Sequence, residues 1–204
     1  MQSQEEKFEG LIEGIVANGY GVCDDFLSSE EVAMLNARFT ERFEDGNFKE
    51  AGIGKQSEVH QAKEIRGDKI LWLETNTTNI AERILLDKNQ AFINYLNQTC
   101  YLGIIDAEIH FAKYDIGKFY RRHRDTFQAQ KGRILSVIYY LNNNWQTENR
   151  GNLLIYTQEN NIEKTISIAP LAGRLVCFES DKLDHEVSET FRERLSITGW
   201  LLNG

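Results

Sequence analysis

From Ile104 onward the hydrophobic residues of this chain recur at every second position, and β-branched and aromatic side chains dominate. A period of two belongs to extended backbone, in which successive side chains project from opposite faces of a sheet. Eight segments carry the pattern, each bounded by turn-forming residues: Ile105–Tyr114, Lys118–Arg122, Arg133–Leu141, Asn152–Tyr156, Ile162–Ile168, Arg174–Phe178, His185–Val187 and Arg194–Leu202. Eight short strands in so short a stretch point to a sandwich or barrel of the jelly-roll kind.

The N-terminal half reads differently. Gly19 to Phe26 is a short strand, after a polar start. Ser28 with Glu31 three positions later predicts an N-cap, and Val32, Leu35, Phe39 and Phe43 follow at helical spacing, giving a helix over Ser28–Glu44. A second amphipathic helix is expected over Asn79–Asn97, with Ile80, Ile84, Phe92 and Leu96 as core contacts. Between them, Asp45–Glu64 is polar and contains Gly46, Gly52 and Gly54, the character of a long loop that covers a site. At 204 residues the whole fits one domain, 1–204, with 1–100 as helical support and 101–204 as the jelly-roll core. The expected class is mainly β with flanking helices.

Charge and cysteine usage narrow the partners. A net charge of -8 repels nucleic-acid phosphates. There is no long apolar run to span a membrane, and Met1–Gly10 is too charged for a secretory signal, so a cytoplasmic protein is expected. Cys23, Cys100 and Cys177 are odd in number and far apart, which predicts reduced thiols.

His123-Arg-Asp125 places two metal-ligand types at i and i+2, on one side of an extended segment. Alone the pattern is weak, because a solvated loop pair explains it equally well. His185 supplies a second imidazole, and Arg194 follows nine positions later in Arg-Leu-Ser-Ile-Thr-Gly-Trp200. Two imidazoles and one carboxylate on one face of an octahedral ion leave three positions open, as iron(II) oxygenases require. Alternation puts Arg194, Ser196, Thr198 and Trp200 on one strand face. An arginine facing a barrel interior needs an anion, and a carboxylate meets it at two points.

With these residues in hand, the chain resembles the 2-oxoglutarate- and iron-dependent dioxygenases, and within them the oxygen-sensing type of prolyl 4-hydroxylase and its bacterial relatives. The resemblance runs from Gly21-Val-Cys-Asp-Asp-Phe-Leu27 through Glu64-Ile-Arg-Gly-Asp-Lys-Ile70, Trp72 and Tyr114. It continues over Tyr120-Arg-Arg-His-Arg-Asp125, Ile138-Tyr-Tyr-Leu-Asn142 with Trp145, and Asp184-His-Glu-Val187, and closes on Arg194 to Trp200. It implies a double-stranded β-helix with iron(II) on His123, Asp125 and His185. Arg194 would pair with the distal carboxylate of 2-oxoglutarate, assisted by the Tyr140 hydroxyl and Thr198, while Tyr114 flanks the pocket and Trp200 walls it. Core packing is the competing reading of Tyr140, since Tyr139 and Tyr140 cannot both face inward. Ascorbate is the expected reductant, and succinate and CO2 the expected co-products.

The same resemblance implies a protein or peptide substrate containing proline, and elongation factor Tu is the first to test. Arg66, Asp68, Arg122 and Arg133 are the expected substrate-binding residues. Ile65–Ile70 would begin a substrate-covering loop, with Asp68 reaching Arg133 or another cation in a surface pair, and Arg121, Arg122 and Arg124 would form a basic patch beside the ligands. Two departures from the family pattern stand out. Gly151-Asn152 replaces a common Gly-Gly, and His110 occupies the strand face of Tyr114, where an apolar residue would be expected. It reads as a satisfied core histidine, with a further polar contact near the pocket as the alternative. A kinase loop is excluded, because the Asn required five positions after His-Arg-Asp is Gln130 and no Asp-Phe-Gly follows. A small-molecule dioxygenase, a zinc hydrolase and a non-catalytic jelly-roll binding module remain open alternatives.

Overall fold

A computed structural model of the chain describes residues 2–52, 65–125, 132–159 and 162–204. Three helices, α1 (Gln4–Asn18), α2 (Ser29–Glu44) and α3 (Ile80–Thr99), precede the main run of strands. Two of them begin on a reciprocal cap. The Ser28 side chain accepts from the Glu31 amide while Glu31 accepts from the Ser28 amide, and Ser3 with Glu6 repeats the device at α1. Asn79 caps α3 by accepting from the amides of Ala81 and Glu82.

Helix α1 is absent from the sequence expectation, because its buried face is narrow: only Phe8 and Leu11 are fully buried among polar neighbours. In α3, Phe92 and Leu96 are buried as expected, but Ile80 is exposed, and Leu85 takes the core position instead.

The strands are β1 (Tyr20–Cys23), β2 (Lys49–Glu50), β3 (Asp68–Trp72), β4 (Asp106–Tyr114), β5 (Tyr120–His123) and β6 (Arg133–Tyr140). They continue with β7 (Leu153–Glu159), β8 (Ile162–Ile168), β9 (Leu175–Glu179), β10 (Asp184–Val187) and β11 (Arg194–Leu202). A seven-stranded sheet has the order β1-β9-β6-β11-β4-β3-β2 and a four-stranded sheet the order β5-β10-β7-β8. From β4 to β11 the chain passes repeatedly between these sheets, which is the double-stranded β-helix, or jelly roll.

The larger sheet buries both faces. Toward the helices it turns Phe111, Val137, Tyr139, Ile197 and Leu201 against Phe8, Leu11, Leu35, Phe39, Phe92 and Leu96. Each such side chain contributes about 1.5–3 kcal/mol on burial, so this layer fixes the sheet rigidly. Toward the smaller sheet it turns Ala112, Tyr114, Ser136, Ile138, Tyr140 and the alternate residues of β11. The two tyrosines therefore separate by alternation. The Tyr139 hydroxyl donates to Asn89 of α3 at 2.8 Å, while Tyr140 faces the space between the sheets.

One expectation about the N-terminal half is corrected, and a second falls mostly outside the described residues. Asp68–Trp72 does not begin a covering loop but is a strand of the larger sheet, paired with β4 in the register Asp68↔Tyr114 to Trp72↔His110. The expected covering loop Asp45–Glu64 contains β2, which pairs with β3; its remainder, 53–64, lies outside the described residues. Among the described residues, no helix is long and apolar enough to cross a membrane.

Candidate functional site

Strands β5 and β10 pair antiparallel with His123 directly opposite His185. Asp125 lies two residues beyond His123, where the chain leaves β5, and the three side chains each bring a ligand atom within 4.8 Å of the others. The Nε2 atoms of His123 and His185 stand 3.5 and 3.6 Å from the Asp125 oxygens, longer than the roughly 2.7–2.9 Å of a charge-assisted hydrogen bond. Their other nitrogens face backbone carbonyls: His123 Nδ1 lies 2.7 Å from the Arg121 oxygen and His185 Nδ1 3.3 Å from that of Leu183. A carbonyl only accepts, so Nδ1 is the donor in each ring and Nε2 is the atom turned toward the carboxylate.

Burial first, outweighing the attraction of Asp125, holds the His185 imidazole down at about 4. Burial would raise the Asp125 carboxyl, but the imidazoles and the Ser136 hydroxyl together hold it well below the usual carboxylate range. A neutral imidazole beside an ionised carboxylate is the protonation state that metal ligation needs. Lone pairs converging in this way repel one another unless a cation lies between them, so the donor set fits a divalent ion of the iron(II) type.

Around the cluster, the Tyr120 ring stacks on His123 with centroids 3.6 Å apart, and the Arg66 guanidinium lies 4.4 Å from the Tyr120 centroid. Arg66 in turn grips Asp68 through two hydrogen bonds, of 2.7 and 2.5 Å. The cation that meets Asp68 is therefore Arg66. The pair is not at the surface, since the two side chains are only 12% and 1% exposed.

Arg194 is 1% exposed. Its Nε donates to the Gly151 carbonyl at 2.9 Å, and its other nitrogens reach only the Tyr140 hydroxyl at 3.4 Å and Ser196 Oγ at 3.5 Å. Among the described residues it has no carboxylate partner. A buried guanidinium with two faint contacts fits an anionic ligand such as the distal carboxylate of 2-oxoglutarate. Gly151 is placed for this by a left-handed φ of 67°, where a Cβ would approach Thr190 Oγ1 to 2.8 Å. The Asn152 that follows donates outward to Ser167, so the departure from Gly-Gly leaves the turn intact.

All three ligand-type residues and Arg194 line one cavity that opens to solvent, together with Arg66, Asp68, Tyr114, Thr198, Trp200 and His110. A larger hollow between α1, α3 and the turn after β9 lies elsewhere, and among the described residues it gathers no cluster of metal-ligating atoms. Arg133 pairs with Glu108 and lies 3.6 Å from the Trp200 ring centroid, at the wall of the site cavity. Arg122 is drawn away from the cavity. It bonds Glu163 and Asp184, and Arg124 also bonds Asp184, so the expected basic patch is largely neutralised by neighbouring carboxylates. The expectation of a satisfied core histidine at His110 also fails, because its buried Nδ1 has no partner among the described residues. Sequence reading missed Ser136, whose only signal was its alternation with Ile138 and Tyr140 on β6.

Residues 109–202, which contain every residue of the His–Asp–His cluster and Arg194, match the model of the 2OG-Fe(II) oxygenase superfamily. The structure superposes on a Pseudomonas putida prolyl-4-hydroxylase with a TM-score of 0.84 and 32% identity, covering 97% of this chain and 99% of that one. The chain belongs to the prolyl hydroxylase family of 2-oxoglutarate/iron(II) oxygenases. A second member of the family, a prolyl hydroxylase from Trichoplax adhaerens in complex with a hypoxia inducible factor peptide fragment, superposes with a TM-score of 0.86 at 27% identity, over 98% of this chain and 90% of that one. Egl nine homolog 1 of Homo sapiens is 30% identical over 90% of this chain but only 44% of its own length. The hypoxia-inducible factor prolyl hydroxylase of Caenorhabditis elegans is 29% identical over 96% of this chain and 28% of its own length. This prolyl hydroxylase family chain thus spans less than half of those two relatives. Iron(II) and 2-oxoglutarate are the family's metal and cosubstrate, and the donor set and the unpaired guanidinium described above suit them.

Proposed function

We propose that this protein hydroxylates a prolyl residue of another protein, with iron(II) held by His123, Asp125 and His185. The observation that carries the reading is the lining of one cavity by both that donor cluster and a buried Arg194 that has no carboxylate partner among the described residues. Bound iron(II), with 2-oxoglutarate and O2, supplies the oxidising power and yields succinate and CO2.

The chain's own residues bind, orient and exclude water. Arg194 takes the distal carboxylate of the cosubstrate at two points, the Tyr140 hydroxyl adds a third contact, and Thr198 lies along the same wall. Tyr114 and Trp200 close the sides of the cavity against water. Arg66 and Asp68 set the edge of the cavity through Tyr120, and Arg133 holds Trp200. The chemistry requires no side-chain general base.

A protein substrate is favoured because the Trichoplax adhaerens relative is complexed with a peptide fragment. It is also favoured because Trp72, 47% exposed, packs against the cavity residues His110 and Trp200 and offers an apolar plane to an incoming chain. Elongation factor Tu is the first substrate to test. The protein would be incubated with iron(II), 2-oxoglutarate, ascorbate and purified elongation factor Tu, and tandem mass spectrometry would map any added oxygen. A gain of one oxygen on a proline supports the reading. Oxidation confined to free proline or other small molecules removes the protein substrate, and absence of succinate removes the oxygenase chemistry altogether.

A further inference from the structure

We infer that Ser136 is a positioning residue of the metal site, which keeps Asp125 a one-oxygen ligand by occupying its second oxygen. This rests on the reading of His123, Asp125 and His185 as iron(II) ligands. The Ser136 hydroxyl donates to Asp125 Oδ2 at 2.6 Å, and Ser136 Oγ lies 2.8 Å from Ser180 Oγ. Both serines are fully buried.

The direction of the chain follows from proton counting. An ionised carboxylate only accepts, so the single Ser136 proton goes to Asp125, and the Ser180 hydroxyl must donate to Ser136. The relay runs from Ser180, in the turn that leads into β10 and His185, through Ser136 on β6, to Asp125 just past β5. It ties together the segments that carry all three ligands. A charge-assisted hydrogen bond of this kind is short and directional, and it holds the carboxylate rotamer.

The consequence lies in coordination number. An octahedral ion with two imidazoles and one carboxylate oxygen keeps three positions open, whereas a carboxylate that binds through both oxygens leaves two. A cosubstrate that chelates through two oxygens fills both of these and leaves no place for O2. Oδ1 faces His123 Nε2 at 3.5 Å and Oδ2 faces His185 Nε2 at 3.6 Å, so both oxygens border the cluster. Ser136, by taking up a lone pair of Oδ2, biases ligation to Oδ1 and preserves the third position. At a fully buried site between the apolar Leu135 and Val137 of β6, nothing in packing alone calls for a hydroxyl.

The number of water molecules on a bound ion reads this out without turnover. Manganese(II) would be loaded as a probe into the wild-type protein and into Ser136→Ala, Ser136→Cys and Ser136→Thr, and water-proton relaxation measured. If Asp125 swings to two-oxygen ligation, waters fall from three to two, so the relaxation enhancement of Ser136→Ala and Ser136→Cys drops by about a third. Ser136→Thr keeps a hydroxyl and restores it. Melting of the metal-free proteins identifies a variant that does not fold, and the cysteine variant preserves side-chain volume if the alanine variant fails. Wild-type relaxation in folded Ser136→Ala or Ser136→Cys overturns the inference, as does an equal drop in Ser136→Thr. A folded wild-type protein that binds no manganese overturns the ligand reading on which the inference rests.

Discussion

His123 and His185 are cross-strand partners on β5 and β10, with ring centroids 4.2 Å apart. One register pair therefore delivers both imidazoles, and a slip of one residue would turn one of them to the opposite face of the sheet. Metal binding should accordingly stabilise the fold it joins. At a metal concentration about 100 times Kd, the gain is about 2.7 kcal/mol by mass action. Thermal melting with iron(II) or cobalt(II) under anaerobic conditions should show a rise in Tm that a chelator reverses. His123→Ala should abolish that rise, and an undiminished metal-dependent shift in the variant would remove His123 from the site.

Arg194→Lys should keep the metal and lose the cosubstrate. A lysine ammonium is a point charge, and it cannot reproduce the planar two-point contact with a carboxylate or the Nε bond to the Gly151 carbonyl. The loss of one charged hydrogen bond of about 1.5–3 kcal/mol corresponds to roughly 10- to 150-fold weaker 2-oxoglutarate binding. Calorimetry on the metal-loaded proteins measures it directly, and unchanged affinity in a folded variant contradicts the assigned role.

Asp68→Ala should destabilise the protein rather than merely slow it. From sequence, Asp68 belonged to a surface pair worth at most about 1 kcal/mol. The structure buries it beside Arg66, and burial first, outweighed by the bond and charge of Asp68, leaves the Arg66 guanidinium pKa raised. Removing one partner of a buried pair strands the other, typically at about 3–5 kcal/mol. Denaturant unfolding of the metal-free protein should show a loss of that order. A change within about 0.5 kcal/mol would mean the site edge is built some other way.

The contrast at Asp68 shows where sequence reading stopped. The jelly roll was legible because alternation over eight segments marks both strand existence and facing, and Arg194 to Trp200 alternate as read. The ligand trio was legible for the same reason, since i and i+2 on extended backbone share a side. What stayed hidden depended on pairing partners far away in the chain. Strand β3 is short and begins with a charged residue, so nothing local announced that β4 would receive it. Arg122 and Arg124 carried no local sign that Asp184, about sixty residues on, would neutralise them. Helix α1 buries too narrow a stripe for periodicity to reveal.

His110 should set part of the acid limit of stability. It packs against Trp72 and Trp200, tilted to both rings with centroids 4.8 and 5.4 Å away, and burial first holds its imidazole down at about 4. Asp68 and Asp125 favour its protonation while Arg66 and Arg133 oppose it, so burial decides. Below its ordinary value near 6.5 the unfolded chain takes up a proton that the folded protein refuses until about pH 4. Stability contributed at this position is therefore intact above about pH 6.5, falls as pH drops toward 4, and levels off below, a loss on the order of 3 kcal/mol. His110→Phe keeps an aromatic ring against the two tryptophans and removes the titration. His185 remains in both proteins, so the difference between their curves isolates His110. Denaturant unfolding of the metal-free proteins at a series of pH values from 7 to 4 should give the variant the shallower decline. Parallel curves would show that His110 is protonated in the folded state as readily as in the unfolded one, and that its burial against the tryptophans does not govern its charge.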